Sequence, residues 1–592
     1  MKKMIYKLLI VLGIFLILSS CSDMLKVDNT DVLTEENNYQ TINDANNAVL
    51  GVYSLLQDLA PQLVVLNELR ADLMDITYNA DHYMKEINTH GNISKGNPWA
   101  DARPFYNVIN NCNDVMVNLI KMYNTNKITR EEYQQRYSDI GAVRSWLYLQ
   151  MVIHYGEVPY LTVPINRIED LSVVKTSKAP VLNLETMIDT LVNFVESLPY
   201  RDPYDDTELL QGSDGFSFQI SFIDKEYLLG ELHLWNGDYN QAATYYKSVM
   251  ERVSGSFDRY KLPTDFFNFT HYFSRYTRYR ESDIESAVNN WGTMFSTYGG
   301  GDYYDEWLWV MYYHEDLEQT PFMELFSKEA GNYYFKPSEV AMGNWDSQIQ
   351  QNGFIGDFRG DIVDQYGNSG SYKMVGNDPV ITKYISDYDI LNPFEKPGKW
   401  FLWRATSLHL RFSEAANRDT VNCKHKLPYA LLNNGIATNY AFPGNKDTVT
   451  GNFPWEQTLL PPPYDFDARQ TNGVQIPVTY RGLWYRNTGI RARVSLRNFT
   501  VPEGIDSLHY IEDKILDENA LELAFEGERW GDLVRISLRR EHEQPGTGYQ
   551  ILAKHIADKF RESGNNGIAD DLETKLNDPT NWWLPLYDEA EE

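Results

Sequence analysis

Apolar residues recur with helical spacing in several separate stretches, most of them bounded by identifiable caps. Thr41-x-x-Asp44 reads as a capping box, and behind it Ala45, Ala48, Val49, Val52, Tyr53 and Leu56 fall on one face. The same spacing predicts a second helix through Tyr106, Ile109, Asn113, Met116 and Ile120. A third carries Ile140, Val143, Leu147 and Met151 and is stopped by Gly156 and Pro159. Another lies near residues 187–197. Between Tyr227 and Glu251, Leu229-Gly230, Ala242 and Tyr246 match a tetratricopeptide helix pair, with small residues where the helices touch and Gly237-Asp238 at the turn. Helix is expected again at 400–418, where Phe401, Ala405, Leu408, Phe412 and Ala415 form a stripe, and a final long helix begins near Ile511. Trp309, Tyr312 and Tyr313 also suggest a buried helical stripe. The period is lost over 254–395 and 428–498, which are loop-rich and include Pro461-Pro462-Pro463. No run alternates long enough to imply a major sheet, so the expected class is all-α with little sheet.

The N-terminus follows a different rule. Lys2 and Lys3 precede an apolar run from Leu8 to Leu18, too short to span a bilayer comfortably but suited to a signal-peptide core. It ends in Leu18-Ser19-Ser20-Cys21, similar to a bacterial lipoprotein box. The expected organisation is a signal peptide over 1–20, a tether over 21–40 lipidated at Cys21, and one domain over 41–592. Its helical scaffold lies mainly in 41–253, 400–418 and 511–540. The two other cysteines, Cys112 and Cys423, are too few for a disulfide framework or a cysteine-based zinc site, and are expected as free buried thiols.

Charge narrows the partners. A formal net charge of −30 repels phosphate backbones, which argues against nucleic acid. Aromatics make up 14% of the chain, with 41 tyrosines and 14 tryptophans, a supply of rigid faces for sugar or peptide contact or for helix packing.

Candidate chemistry is sparse. His314-Glu315 and His542-Glu543 lack a second histidine four residues after the first, and there is no G-x-S-x-G elbow or P-loop. Asp302 with Asp305 could offer oxygens to a structural calcium, though not with EF-hand spacing; no other cofactor is expected. Glu522, Glu526, Arg529, Asp532 and Arg535 recur by threes and fours, which would place both signs on one helical face. A carboxylate pair could serve a glycoside hydrolase. An arginine one turn from each of Glu526 and Asp532 favours ionised carboxylates and a structural ion network instead.

Taken end to end, these segments resemble the SusD/RagB family of Bacteroidetes outer-membrane lipoproteins. The resemblance rests on the Leu18–Cys21 box, on VLTEENNYQTINDANNAVLGVYS from Val32 and on YNVINNCNDVM from Tyr106. It extends through AVRSWLYLQMVIHYGEVPYL from Ala142, RATSLHLRFSEAANR from Arg404, ILDENALELAFEGERWGDLVR from Ile515 and the closing WWLPLYDEAEE. Asn519 stands where the family usually has arginine, Glu157 replaces an aspartate, and Trp99 lies earlier than the usual tryptophan. The resemblance implies a tetratricopeptide-like scaffold of helical hairpins with long loop-rich ligand-binding insertions, mainly at 254–395 and 428–498. It implies a surface-exposed protein, anchored in the outer membrane through Cys21, that binds an oligosaccharide, or in some branches a peptide. Such a protein closes as a lid over a SusC-like TonB-dependent transporter and is not an enzyme.

It also implies where the ligand lies: on a loop before the second helix and on loops after the tetratricopeptide region. The first contains Asn97 and Trp99. The second is the richest aromatic stretch, 16 rings among the 48 residues from Phe266 to Tyr313. Trp99, Tyr303 and Tyr304 are the expected platforms, with Trp291 and Trp307 as further candidates and Asn97 as a hydrogen-bonding partner.

Overall fold

The computed structural model describes residues 39–166, 179–202, 204, 209, 218–254, 257–258, 291–292, 294–295, 306–314, 318–362, 370–423, 426–433, 435, 460–466 and 489–586. Cys21 and residues 298–305, which include Asp302, Tyr303, Tyr304 and Asp305, lie outside them. Among the described residues the architecture is mostly helical, with only two-stranded sheets.

Helix α1 (Ile42–Asp58) starts where the pattern placed it. Thr41 Oγ1 accepts from the Asp44 N–H while Asp44 Oδ2 accepts from the Thr41 N–H at 2.7 Å. Then come α2 (Arg103–Asn124), α3 (Arg130–Tyr155), α4 (Leu184–Glu196), α5 (Lys225–Asn236), α6 (Tyr239–Glu251) and α7 (Ala405–Arg418). Each packs chiefly on its neighbour in this order, the stacking of a helical-hairpin array. In α2 the buried stripe runs through Ile109, Cys112, Met116 and Leu119, while Ile120 turns outward. Helix α3 is buried on nearly every side beyond Ser138, which explains why its sequence lacks a polar face.

The α5–α6 pair bears out the tetratricopeptide expectation. Gly237 closes α5 in the left-handed region at φ 81°, and Gly230 lies flat under the Tyr246 ring. A Cβ at Gly230 would come within 2.5 Å of that ring. Tyr246 in turn donates to Glu231 Oε1 at 2.6 Å.

Two elements differ from the sequence reading. Residues Trp307–Tyr313 form a strand, β1, rather than a helical stripe, and Phe401 belongs to strand β2 (Gly398–Arg404), with α7 beginning only at Ala405. The strands pair antiparallel, and every residue of both is buried. A strand covered on both faces shows no alternation, so its apolar run cannot be told from helix core by periodicity. The late helix is also divided into α8 (Ser507–Glu522) and α9 (Arg529–Glu543), separated by a loop in which Phe525 and Gly527 have φ of 72° and 87°. Helices α10 (Tyr549–Glu562) and α11 (Asn566–Leu576) complete the chain.

Trp582 is buried beside the first helices, where its carbonyl accepts from Arg70, and the Leu584 N–H donates to His154 O at 2.9 Å. One contiguous apolar core therefore runs from Ala45 to Leu584. Cys112 and Cys423 are buried and neither forms a disulfide. Among the described residues no single helix is long and apolar enough to cross a membrane.

Gly230→Ala should destabilise the fold by roughly 1–3 kcal/mol, because the Tyr246 ring has no room to retreat. Chemical denaturation will measure this, and an unchanged midpoint would show that the α5–α6 contact is loose.

Candidate functional site

The late motif builds a buried ion network. Glu306 precedes β1 and Arg404 ends β2, so the ribbon brings the two together at 2.9 Å. Arg404 also reaches Glu522 at 2.8 Å and Glu526 at 2.7 Å. Glu522 meets Arg359 at 2.6 Å and Arg493 at 3.1 Å; Glu518 meets Arg359 and Arg491, each at 2.8 Å. Lys383 pairs with Glu526 and Asp357 with Arg359, both at 2.6 Å. The network sets five carboxylates (Glu306, Asp357, Glu518, Glu522, Glu526) against five cations (Arg359, Lys383, Arg404, Arg491, Arg493), so it is neutral overall.

Burial alone would raise the Glu522 carboxyl, but Arg404, Arg493 and Arg359 override it and hold it well below the usual carboxylate range. Such a group is an ionised structural anion, unsuited to giving up a proton. The motif's charges do not share one continuous helical face, because the 523–528 loop intervenes. Its ion-pairing role is nevertheless the one anticipated from spacing.

Glu68 fixes that loop. Its carboxyl accepts the Phe525 N–H at 3.0 Å, the Gly527 N–H at 2.8 Å and the Glu528 N–H at 3.1 Å. Complete burial pushes it up to about 7 despite these donors.

Two expected platforms belong to this interior. Trp291 is 0% exposed and lies with its ring 5.5 Å from Lys383 Nζ and 5.6 Å from the Arg404 guanidinium carbon. Trp307 is 1% exposed and stacks on Phe401 with centroids 4.7 Å apart. Trp291 is apolar cover for the ion network and Trp307 is part of the aromatic core beside it, and no sugar face can reach either. Asn97 is also corrected: it is 2% exposed, caps the turn Pro98–Ala100, and donates to Tyr83 O and Glu86 Oε2. Trp99 is half-buried, edge-on to Phe335 with centroids 6.2 Å apart.

The open aromatic surface lies on the other side of Phe335. Strand Met74–Ile76 pairs with Phe335–Pro337 and releases the chain into a turn before the Asp81 helix cap. On that turn Tyr78 is 73% exposed, edge-on to Tyr333 with centroids 6.3 Å apart. Thr77 N–H donates to Tyr334 O at 2.9 Å and Asn79 Nδ2 to Asn332 O at 2.9 Å, which pins the turn. Tyr333 is held in the left-handed region at φ 51°, and its hydroxyl donates to Pro379 O at 2.7 Å. Beside them the hairpin Tyr372–Val375/Asp378–Ile381 turns through Gly376-Asn377 and presents Met374, 47% exposed. Tyr78, Tyr333, Met342, Met374, Asn377 and Asp378 enclose a cavity of about 310 Å³. It combines an apolar ring face with amide and carboxylate groups and the ammonium of Lys336, a lining that can hold a polyhydroxylated or amide-bearing ligand.

Sequence reasoning passed over Tyr78. Its signal was an aromatic in the Tyr78-Asn79 turn between two short elements, where no core is available to it. A larger groove of about 610 Å³ runs between the helix Glu339–Asp346, α8 and α10. Among the described residues no group of histidine, cysteine or carboxylate side chains is placed to hold a metal ion; the Asp302–Asp305 pair lies outside them.

Residues 487–590 match the model of the SusD family. No curated protein matches the chain. Its fold is similar to a SusD superfamily protein of Bacteroides vulgatus, with 12% identity, a TM-score of 0.56 and coverage of 92% of this chain and 96% of that one. It is also similar to surface glycan-binding protein A of Bacteroides uniformis, with 14% identity, a TM-score of 0.54 and the same coverages. A SusD superfamily protein of Bacteroides thetaiotaomicron gives 16% identity and a TM-score of 0.51 over 90% and 97%. At these identities the likeness carries the fold alone.

The Glu68 carboxyl gives a pH prediction. It ionises at about 7 in the fold and near ~4.3 in an unfolded chain. Below both values each state holds the proton and the site costs nothing. As pH rises from ~4.3 to about 7 the unfolded chain gives up the proton while the fold still holds it, so stability falls across that window and levels off above it. Glu68→Gln should make the melting temperature fall less between pH 5 and pH 8 than in the parent. Equal slopes would rule out this role for Glu68.

Proposed function

We propose that the chain is a SusD-like protein: a cell-surface lipoprotein, anchored in the outer membrane through Cys21, that binds a nutrient oligosaccharide. In this reading it acts as a lid that passes the ligand to a SusC-like TonB-dependent transporter. The observation that carries the ligand assignment is Tyr78, an open aromatic face over a polar-lined cavity on a pinned turn. A sugar ring lays its C–H face on such a platform while its hydroxyls bond to Asn377 and Asp378. The names of surface glycan-binding protein A and of a SusD-like carbohydrate-binding protein of Bacteroides fragilis, both sharing this fold, point to the same ligand class.

The role requires no bond to be broken. Its thermodynamic content is differential affinity between an open and a closed state. The acidic late motif is consistent with this, since its carboxylates are consumed by arginine and lysine. Trp99, Tyr303 and Tyr304 remain proposed contributors beside Tyr78.

Tyr78→Ala should weaken glycan binding about tenfold or more, the cost of removing a central aromatic anchor, while leaving the melting temperature within a degree or two of the parent. Calorimetric titration of the full-length protein with a panel of neutral oligosaccharides will measure it. Retention of peptides with no glycan bound would transfer the role to the other ligand class, and shortened oligomers after incubation would refute the binding-only reading.

A further inference from the structure

The Tyr78 cavity has a neighbour, and one helix separates them. Glu339 and Met342 on Glu339–Asp346 line the 310 Å³ cavity. Glu339, Gly343 and Asn344 on the same helix line the 610 Å³ groove. Glu339 is therefore common to both. Gly343 forms part of the groove floor, and a Cβ built there meets nothing within 4 Å.

The charges of the groove are unequal in availability. Its cations are already engaged: Arg491 donates to Glu518 at 2.8 Å and to Gln348 at 3.1 Å, Arg529 to Asp72 at 2.7 Å, and Lys514 to Asp517 at 2.7 Å. His555 stands 3.3 Å from Asp72. By contrast Glu339 and, across the groove, Glu562 are exposed, and among the described residues neither forms an ion pair. The face offered to a ligand is thus acceptor-rich and negative, on a protein whose formal charge is already −30.

We propose that the groove is a second ligand subsite, continuous with the Tyr78 cavity across Glu339, and that it selects long uncharged glycan chains. The inference rests on the glycan reading of the first cavity and adds a length and a charge class to it. Free hydroxyls of a neutral chain donate to the Glu339 and Glu562 carboxylates. A uronate or sulfate at the same place meets two exposed carboxylates that no ion pair engages among the described residues, with Lys336 beside only one of them, and is disfavoured. A short oligomer fills only the Tyr78 cavity; a long one gains the groove as well.

The test uses the full-length protein and neutral trimers and hexamers of several linkages, with uronate hexamers of matching linkage. The parent should bind the neutral hexamer at least about tenfold tighter than the trimer. Gly343→Trp, which fills the groove from an exposed helical position, should reduce that advantage to about twofold or less and leave trimer affinity intact. The double variant Glu339→Gln, Glu562→Gln should improve uronate binding about tenfold, and in the parent added salt should narrow the gap between neutral and uronate chains. A hexamer advantage that survives Gly343→Trp would overturn the proposal, as would uronate chains that bind the parent as tightly as neutral ones. If trimers bind and depend on Tyr78 but hexamers gain nothing, the groove proposal fails while the glycan reading stands. If no glycan of either length binds, the glycan reading fails and takes the groove with it.

Discussion

The fold is organised around the need to keep buried charge neutral. Arg359, Arg404, Arg411 and Arg493 are all 1% exposed or less, and an unpaired guanidinium at that depth would cost several kcal/mol. Each is therefore tied to carboxylates from other parts of the chain. Arg404 collects Glu306, Glu522 and Glu526; Arg411 collects Glu231, Glu528 and Asp532. A second balanced set follows along α7, α8 and α9, where Glu414 accepts from Arg535 and Arg539, Glu512 from Arg418 and Arg540, Glu543 from Arg418 and Asp513 from Arg540. Hydrophobic packing brings these helices close. The charge pairing decides which helix lies against which and in what register, because a one-residue slip would strand several ions at once.

This constraint accounts for the division between interior and binding surface. Aromatics close to the network, Trp291 and Trp307 among them, exclude water from it and are unavailable to a ligand. Aromatics available to a ligand stand on turns that the network does not reach. Tyr78 is on such a turn, pinned by backbone bonds to residues 332–334. The Tyr78 ring is open, but the position of its turn is set by these bonds, so in the proposed role little ordering cost would fall on a ligand.

Much of the scaffold was legible because helices announce themselves locally. The Thr41 capping box, the Gly230–Tyr246 contact and the Gly237 turn each depend on residues close in sequence. The buried ribbon was misread for a physical reason: Trp307 to Tyr313 is covered on both faces, and complete burial erases the alternation by which a strand is recognised. The site was only partly legible. Aromatic density pointed toward 266–313, yet density does not separate a platform from a core tryptophan. That distinction depends on the long-range placement of Lys383 and Arg404, which no local pattern encodes. Tyr78 was missed because a single aromatic in a turn carries no periodic signal. The ion-pairing role of the late motif was readable because arginine lies one turn from its carboxylates.

The pair between Asp72 and Arg529 joins residues 457 positions apart, and Glu68 accepts from the backbone at similar range. Contacts of that separation make folding slow and dependent on the whole chain. Until the last sixth of the polypeptide arrives, Glu68 and Asp72 lack the partners that make their burial tolerable. A growing chain therefore cannot complete its interior early. The same residues that lock the finished protein keep its unfinished precursor open.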